Sequence, residues 1–140
     1  MICIQETQIL TLNKYAEVEY PTECCGLLIG GGTQDNLNID EIIQSPNIAK
    51  GNKSTLFEID PQIRLNTQRR LRNSPQRVIG HFHSHPDAPS SPSPTDLSMA
   101  FEAELIWAIV SVKNSVANGT RIYRLDINRH NFYEINYKVI

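Results

Sequence analysis

Hydrophobic positions along the chain fall into alternating helical and strand-like segments. In "QETQILTLNKYAEVE", residues 5–19, Ile9, Leu12 and Ala16 recur at helical spacing and share one face. Pro21 pushes Tyr20 out of the α region, so this helix closes there. "CCGLLIGGG" is a short apolar run ending in three glycines, which predicts a buried strand and then a turn. "NLNIDEIIQS" alternates well enough for a second strand. In "DPQIRLNTQRRLR", Asp60 is a cap and Pro61 takes the first helical position, so a helix is predicted to about Arg72. "QRVIGHFHSH" reads as a strand. "SPTDLSMAFEA" reads as a short helix starting at Ser93 or Pro94, and "LIWAIVSV" as an apolar strand. Asn118-Gly119 is the strongest hairpin signal in the chain. It is expected to lead into "RIYRLDI" and, after "NRHN", into "FYEINYKVI". The pattern predicts an α+β fold: a mostly antiparallel sheet with two long helices and one short one.

At 140 residues the chain fits one domain, 1–140, with one core. A net charge of -2 gives no electrostatic reason to expect nucleic acid or an anionic membrane as partner. No apolar run approaches the roughly 18–20 residues that span a bilayer. The start, "MICIQETQIL", lacks the basic region of a secretory signal. Of three cysteines, Cys24 and Cys25 are neighbours and poorly placed to bond each other. Without a disulfide framework, a reducing cytoplasm is the expected setting. Arg64, Arg69, Arg70 and Arg72 make the central helix basic, which reads as a solvated face.

Chemistry concentrates in "GHFHSHPDAPSSPSPTDLSMA". Residues two apart on a strand point to one face, so His83 and His85 project together. Asp96 follows eleven residues after His85, across a loop stiffened by Pro86, Pro89, Pro92 and Pro94. Two imidazoles and a carboxylate suit zinc, and three protein ligands leave a fourth position for a water acidified to a pKa of about 7. Such a water needs a base, and Glu23, at the entry of an apolar strand, is the candidate. Ser93 can donate to a developing oxyanion. Each residue also has a plainer reading: Glu23 as a surface cap, Asp96 as a first-turn helix residue, Ser93 as an N-cap. His81 shares the strand face, which opens an all-histidine site with Asp96 as a cap. An iron facial triad uses the same residue types. Ser84 faces away from the ligands; Cys24, Cys25 and Trp107 read as core.

Together "PTECCGLLIG", "GHFHSHP" and "SPSPTD" resemble the JAMM (MPN-plus) metalloprotease family. Its pattern is an upstream glutamate, then H-x-H, seven residues, Ser, two residues, Asp. Glu23, His83, His85, Ser93 and Asp96 match it without a gap. "FEIDP", before the central helix, is similar to small stand-alone bacterial members. The resemblance implies a curved sheet flanked by helices, similar to the cytidine deaminases. It implies zinc on His83, His85 and Asp96, Glu23 as general base and then acid, and Ser93 at the oxyanion. It also implies cleavage after the C-terminal glycines of a ubiquitin-like protein, in small bacterial members a sulfur carrier. The alternative is a non-catalytic MPN scaffold, which typically lacks parts of the metal motif. A deaminase would need H-x-E and P-C-x-x-C, which are absent. A homodimer is left open.

Overall fold

The computed structural model describes residues 1–140. Its elements are β1 (Ile2–Ile4), α1 (Glu6–Glu19), β2 (Cys25–Thr33), β3 (Asn36–Ser45), α2 (Pro61–Arg70), β4 (Arg77–Pro86), α3 (Pro94–Ser98), β5 (Ile106–Lys113), β6 (Val116–Asp126), β7 (Asn131–Ile135) and β8 (Tyr137–Val139). All eight strands join one sheet in the order β7-β6-β5-β4-β2-β3-β1-β8. Only Asn136 separates β7 from β8, yet they lie on opposite edges. The sheet must therefore curl until its two edges meet at one residue, which makes it nearly a barrel. Closure of this kind leaves little open edge.

Antiparallel ladders join β2 to β3 and β4, and β6 to β5 and β7; β4–β5, β1–β3 and β1–β8 are parallel. The mostly antiparallel α+β expectation holds. The parallel β4–β5 step matters most. A parallel pair needs a long crossover, and this crossover carries the loop with Asp96.

Alternation along β4 sorts two cores. Phe82 packs beside Leu28, Ala108 and Val110, under Leu12 and Ala16 of α1. The other face holds Cys25, Trp107 and Ile109 with Phe57. His83 pairs with Cys25 on one side and Ile109 on the other, so it belongs to this second face. Burying these side chains, at roughly 1.5–3 kcal/mol for each large one, fixes which face β4 turns where. A one-residue slip would drive both histidines into the α1 core.

Four readings of the pattern need correction. The three glycines do not end β2. The strand runs to Thr33, with a bulge between Ile29 and Gly30, and the turn is at Gln34-Asp35. A Cβ on Gly30 would run into the Asn38 carbonyl, so glycine is what the close approach needs. Asn118-Gly119 is not the hairpin turn. The turn is Asn114-Ser115, both at positive φ. Asn118-Gly119 instead sits inside β6 opposite a register shift, with Gly119 at φ +105°, so the same left-handed preference is spent on a bulge. "FYEINYKVI" is two strands on opposite edges, and Ile2–Ile4 adds a strand the pattern did not show. On the helices, α1 buries Gln8 with Leu12 and Ala16 while Ile9 is half-buried, and α2 stops at Arg70. Asp60 caps α2 as expected, accepting from the Gln62 N–H at 2.9 Å.

Candidate active site

Strand β4 delivers His83 and His85 to its end, where His83 is fully buried and His85 nearly so. The crossover returns through α3, whose first turn is held by a reciprocal capping box. The Ser93 hydroxyl oxygen accepts from the Asp96 N–H at 3.0 Å, and the Ser93 N–H donates to Asp96 Oδ2 at 2.9 Å. That box aims Asp96 at the histidines. Oδ2 lies 3.2 Å from His83 Nε2 and 3.0 Å from His85 Nε2, and the two Nε2 atoms are 3.0 Å apart. At zinc bond lengths near 2.0–2.1 Å, tetrahedral ligands sit about 3.3 Å from one another, so this triangle is close to the required size.

The donor set fits a cation on chemical grounds. His85 Nδ1 is 2.8 Å from the Pro89 carbonyl, which can only accept, so the proton sits on Nδ1. In the neutral ring, the Nε2 lone pair then faces a carboxylate lone pair and a second imidazole. A positive charge at the centre of the triangle relieves that opposition. Burial alone would raise the Asp96 carboxyl, but contacts with His83 and His85 outweigh it and hold the group well below the usual range. For His85 burial has the largest effect and lowers the pKa, but Asp96, the Pro89 carbonyl and Glu23 together outweigh it and the pKa rises; for His83 burial wins and it falls.

Glu23 enters from the segment before β2 and is only 3 % exposed. One of its carboxylate oxygens lies within 4.8 Å of ligand nitrogens of His83 and His85, so these three also form a group able to hold a metal. Asp96 is the closer carboxylate, in direct contact with both rings. Glu23 Oε1 is buried with no hydrogen-bond partner. Burial pushes its pKa up to about 8, with His85 opposing and Asp96 adding. Such a carboxyl is paired with nothing and free to exchange a proton. Glu23, Ser54, Thr55, His85 and Ser93 line a cleft of about 130 Å³. The Ser93 oxygen is engaged as an acceptor, which leaves its O–H to be donated there.

His81 shares the β4 face, as alternation requires, but its ring stands edge-on to Trp107 at 4.2 Å and lines a separate cavity of about 220 Å³. Burial drives its pKa down to about 3. Ser84, on the opposite face, takes a structural bond, accepting from the Cys24 N–H at 2.8 Å. Cys24 and Cys25 are buried in the two cores, and burial pushes each thiol up to about 12.

Two contributors are not singled out by the sequence pattern, although Phe57 opens "FEIDP". Phe57 stacks flat on His83 at 4.2 Å, with Trp107 edge-on at 5.7 Å. His83 Nδ1 has no hydrogen-bond partner, so packing rather than a bond orients that ring. Asn47 holds the Glu23 carbonyl at 3.1 Å. Its sequence context, Asn after Pro46 at a strand end, signals only a turn.

A curled sheet that brings two imidazoles, a carboxylate and an unpaired buried carboxylate to one cleft has the layout a metal-dependent hydrolase requires. The family described as prokaryotic homologs of the JAB domain matches residues 7–126, and the chain belongs to it. Among relatives, the CysO-cysteine peptidase of Mycobacterium tuberculosis is 23% identical over 129 residues, covering 89% of this chain and 83% of that protein. The desampylase of Haloferax volcanii is 24% identical over 95 residues, covering 65% and 63%. Among solved structures, a protein from Desulfitobacterium hafniense superposes with a TM-score of 0.86 at 24% identity, over 100% of this chain and 93% of that one. A JAB1/MPN domain protein from Archaeoglobus fulgidus does so with 0.61 at 21% identity, over 99% and 97%. The MPN-type fold implied by the motif is therefore the fold of this chain.

Proposed function

We propose that residues 1–140 act as one domain, a zinc-dependent metallopeptidase that hydrolyses the amide bond after the C-terminal glycines of a ubiquitin-like protein, with a sulfur carrier as the substrate class. His83, His85 and Asp96 hold the zinc; Glu23 is the general base and then the acid; Ser93 donates to the oxyanion. The observation that carries this reading is the triangle of ligand atoms 3.0–3.2 Å apart with an unpaired buried carboxylate beside it. The names of two relatives, a CysO-cysteine peptidase and a desampylase, support the substrate class.

Zinc, when held there, acidifies water and polarises a carbonyl oxygen. The protein's own residues do the rest. The Pro89 carbonyl keeps the His85 proton on Nδ1, so in the neutral ring Nε2 offers its lone pair to the ligand triangle. Glu23 takes a proton from the attacking water and returns it to the leaving amine. A carboxyl raised toward neutrality by burial is matched to both halves of that task. The Ser93 O–H meets the carbonyl oxygen as it gains charge. The flexible, glycine-ended tail suits an extended pose held through its backbone groups. All three cysteines are free, and two of them, Cys24 and Cys25, are buried with thiols pushed up to about 12, which accords with a reducing compartment, the cytoplasm.

The test is to incubate the zinc-loaded protein with ubiquitin-like sulfur carriers extended beyond their terminal glycines and to weigh the products. Trimming to the glycine end is expected. If none is trimmed while unrelated short peptides are cut, the substrate class fails; if nothing is cut although zinc binds, the scaffold reading takes its place.

A further inference from the structure

We infer that Asn47 is the positioning residue that couples Glu23 to Phe57, and through Phe57 to the His83 ring. The inference rests on the proposed role of Glu23. Asn47 follows β3 and forms an isolated bridge with Ile59, at the two ends of the segment that spans Phe57. Its side chain uses its full capacity of four bonds. Nδ2 donates to the Glu23 carbonyl at 3.1 Å and to the Leu56 carbonyl at 2.9 Å. Oδ1 accepts from the Ala49 N–H at 3.0 Å and the Glu58 N–H at 3.1 Å. Two carbonyls on one side and two amides on the other fix which end is oxygen, because the flipped amide would face four like partners.

The partners give the bracket its meaning. Leu56 and Glu58 flank Phe57, so Asn47 grips the backbone on both sides of the residue that stacks on His83. The same amide grips Glu23, whose own N–H donates to the Lys53 carbonyl at 2.8 Å. Glu23 thus has both backbone groups tied to the 47–58 loop, and its side chain has no partner to set its position. The distance between base and ligand triangle is then governed by this bracket. A displacement of about 1 Å at a reacting group can cost on the order of 10²-fold in rate.

Asn47→Asp keeps the shape, but sets an oxygen against the Glu23 and Leu56 carbonyls. The expected result is a fall in kcat of about 10- to 100-fold with KM little changed and zinc still bound at one per chain. Ser45→Ala is the control. It also breaks buried loop bonds, from Ser45 to the Pro46 carbonyl and from Asp60 N–H, without touching Glu23. It should lower Tm and leave kcat alone. If kcat in Asn47→Asp falls only as Tm does in the control, Asn47 is merely structural and the inference fails. Amide hydrogen exchange on the unmodified protein gives a test independent of catalysis and of whether the variant folds. The Glu23, Ala49 and Glu58 amides should share one opening free energy. Exchange at Glu23 unrelated to the other two would overturn the coupling. A protein that cleaves no ubiquitin-like substrate yet shows that shared opening would sink the proposed function and leave the bracket standing.

Discussion

Two segments reach the same cleft by opposite means. From His83 to Asp96 the chain places the three proposed ligand atoms by local rules: strand alternation sets the histidines, and a capping box four residues long sets the aspartate. From Pro46 to Glu58 it places the neighbourhood of Glu23 with almost no regular structure, through one asparagine side chain and one backbone bond, between Glu23 and Lys53 thirty positions on. The comparison teaches that the direction and spacing of the three proposed ligands come from a short sequence, with only the His83 ring also steadied from outside by Phe57, whereas the position of the proposed base is a property of the folded chain. The first should tolerate most changes elsewhere, those at Phe57 excepted; the second should respond to changes far from Glu23 in sequence.

The largest expected effect breaks the local side. Asp96→Ala and His83→Ala each remove one corner of the triangle and should abolish stoichiometric zinc, measured by metal analysis after dialysis, with activity lost alongside. His81→Ala should keep the metal, since that ring packs on Trp107. Zinc lost from His81→Ala but kept in Asp96→Ala would instead mean an all-histidine site.

Next comes a contrast between two helix caps of similar chemistry. Asp60→Ala and Ser93→Ala each remove an N-cap worth roughly 0.5–2 kcal/mol, so both should lower Tm by a few degrees. Only Ser93 faces the cleft. Its loss should also reduce kcat by about 10²-fold, the usual effect of one oxyanion donor, while Asp60→Ala turns over normally at a temperature where both are folded. Equal turnover in the two variants would reduce Ser93 to a cap.

How far the sequence reached follows the same division. The meeting of His83, His85, Ser93 and Asp96 at one cleft, the short helix and the Asp60 cap were legible because each depends on strand alternation or on neighbours within a few residues. The Asn118-Gly119 turn was misplaced because a left-handed pair suits a bulge as well as a turn, and only the β5 register decides between them. The split of β7 from β8 could not be read, since one residue, Asn136, carries the chain from one edge of the curled sheet to the other. Asn47 and the stacking of Phe57 on His83 were invisible for the reason that makes them matter: their partners are distant in sequence.

The smallest effect lies outside both segments. Arg64 and Glu102 form a two-pronged ion pair at 2.7 and 2.8 Å, and Arg64 holds the Glu102 pKa down. A lowered carboxyl pKa adds stability above the unfolded value, about 4.5, and loses it as pH falls through the folded value. Both side chains are over a third exposed, so the pair is worth under about 1 kcal/mol. Glu102→Gln should cost that small amount at pH 7 in thermal melts and nothing near pH 3. A loss independent of pH would point to packing instead.

In the proposed mechanism the triangle holds the metal and Glu23 moves the proton. Glu23→Gln tests it most directly, because the amide keeps the shape and removes only the base. Zinc content and turnover should be measured on the same sample. Zinc should stay near one per chain and kcat should fall by about 10²–10⁴-fold. Loss of zinc would make Glu23 a ligand, and unchanged turnover would leave it a buried carboxyl with no part in the chemistry; either result contradicts the account.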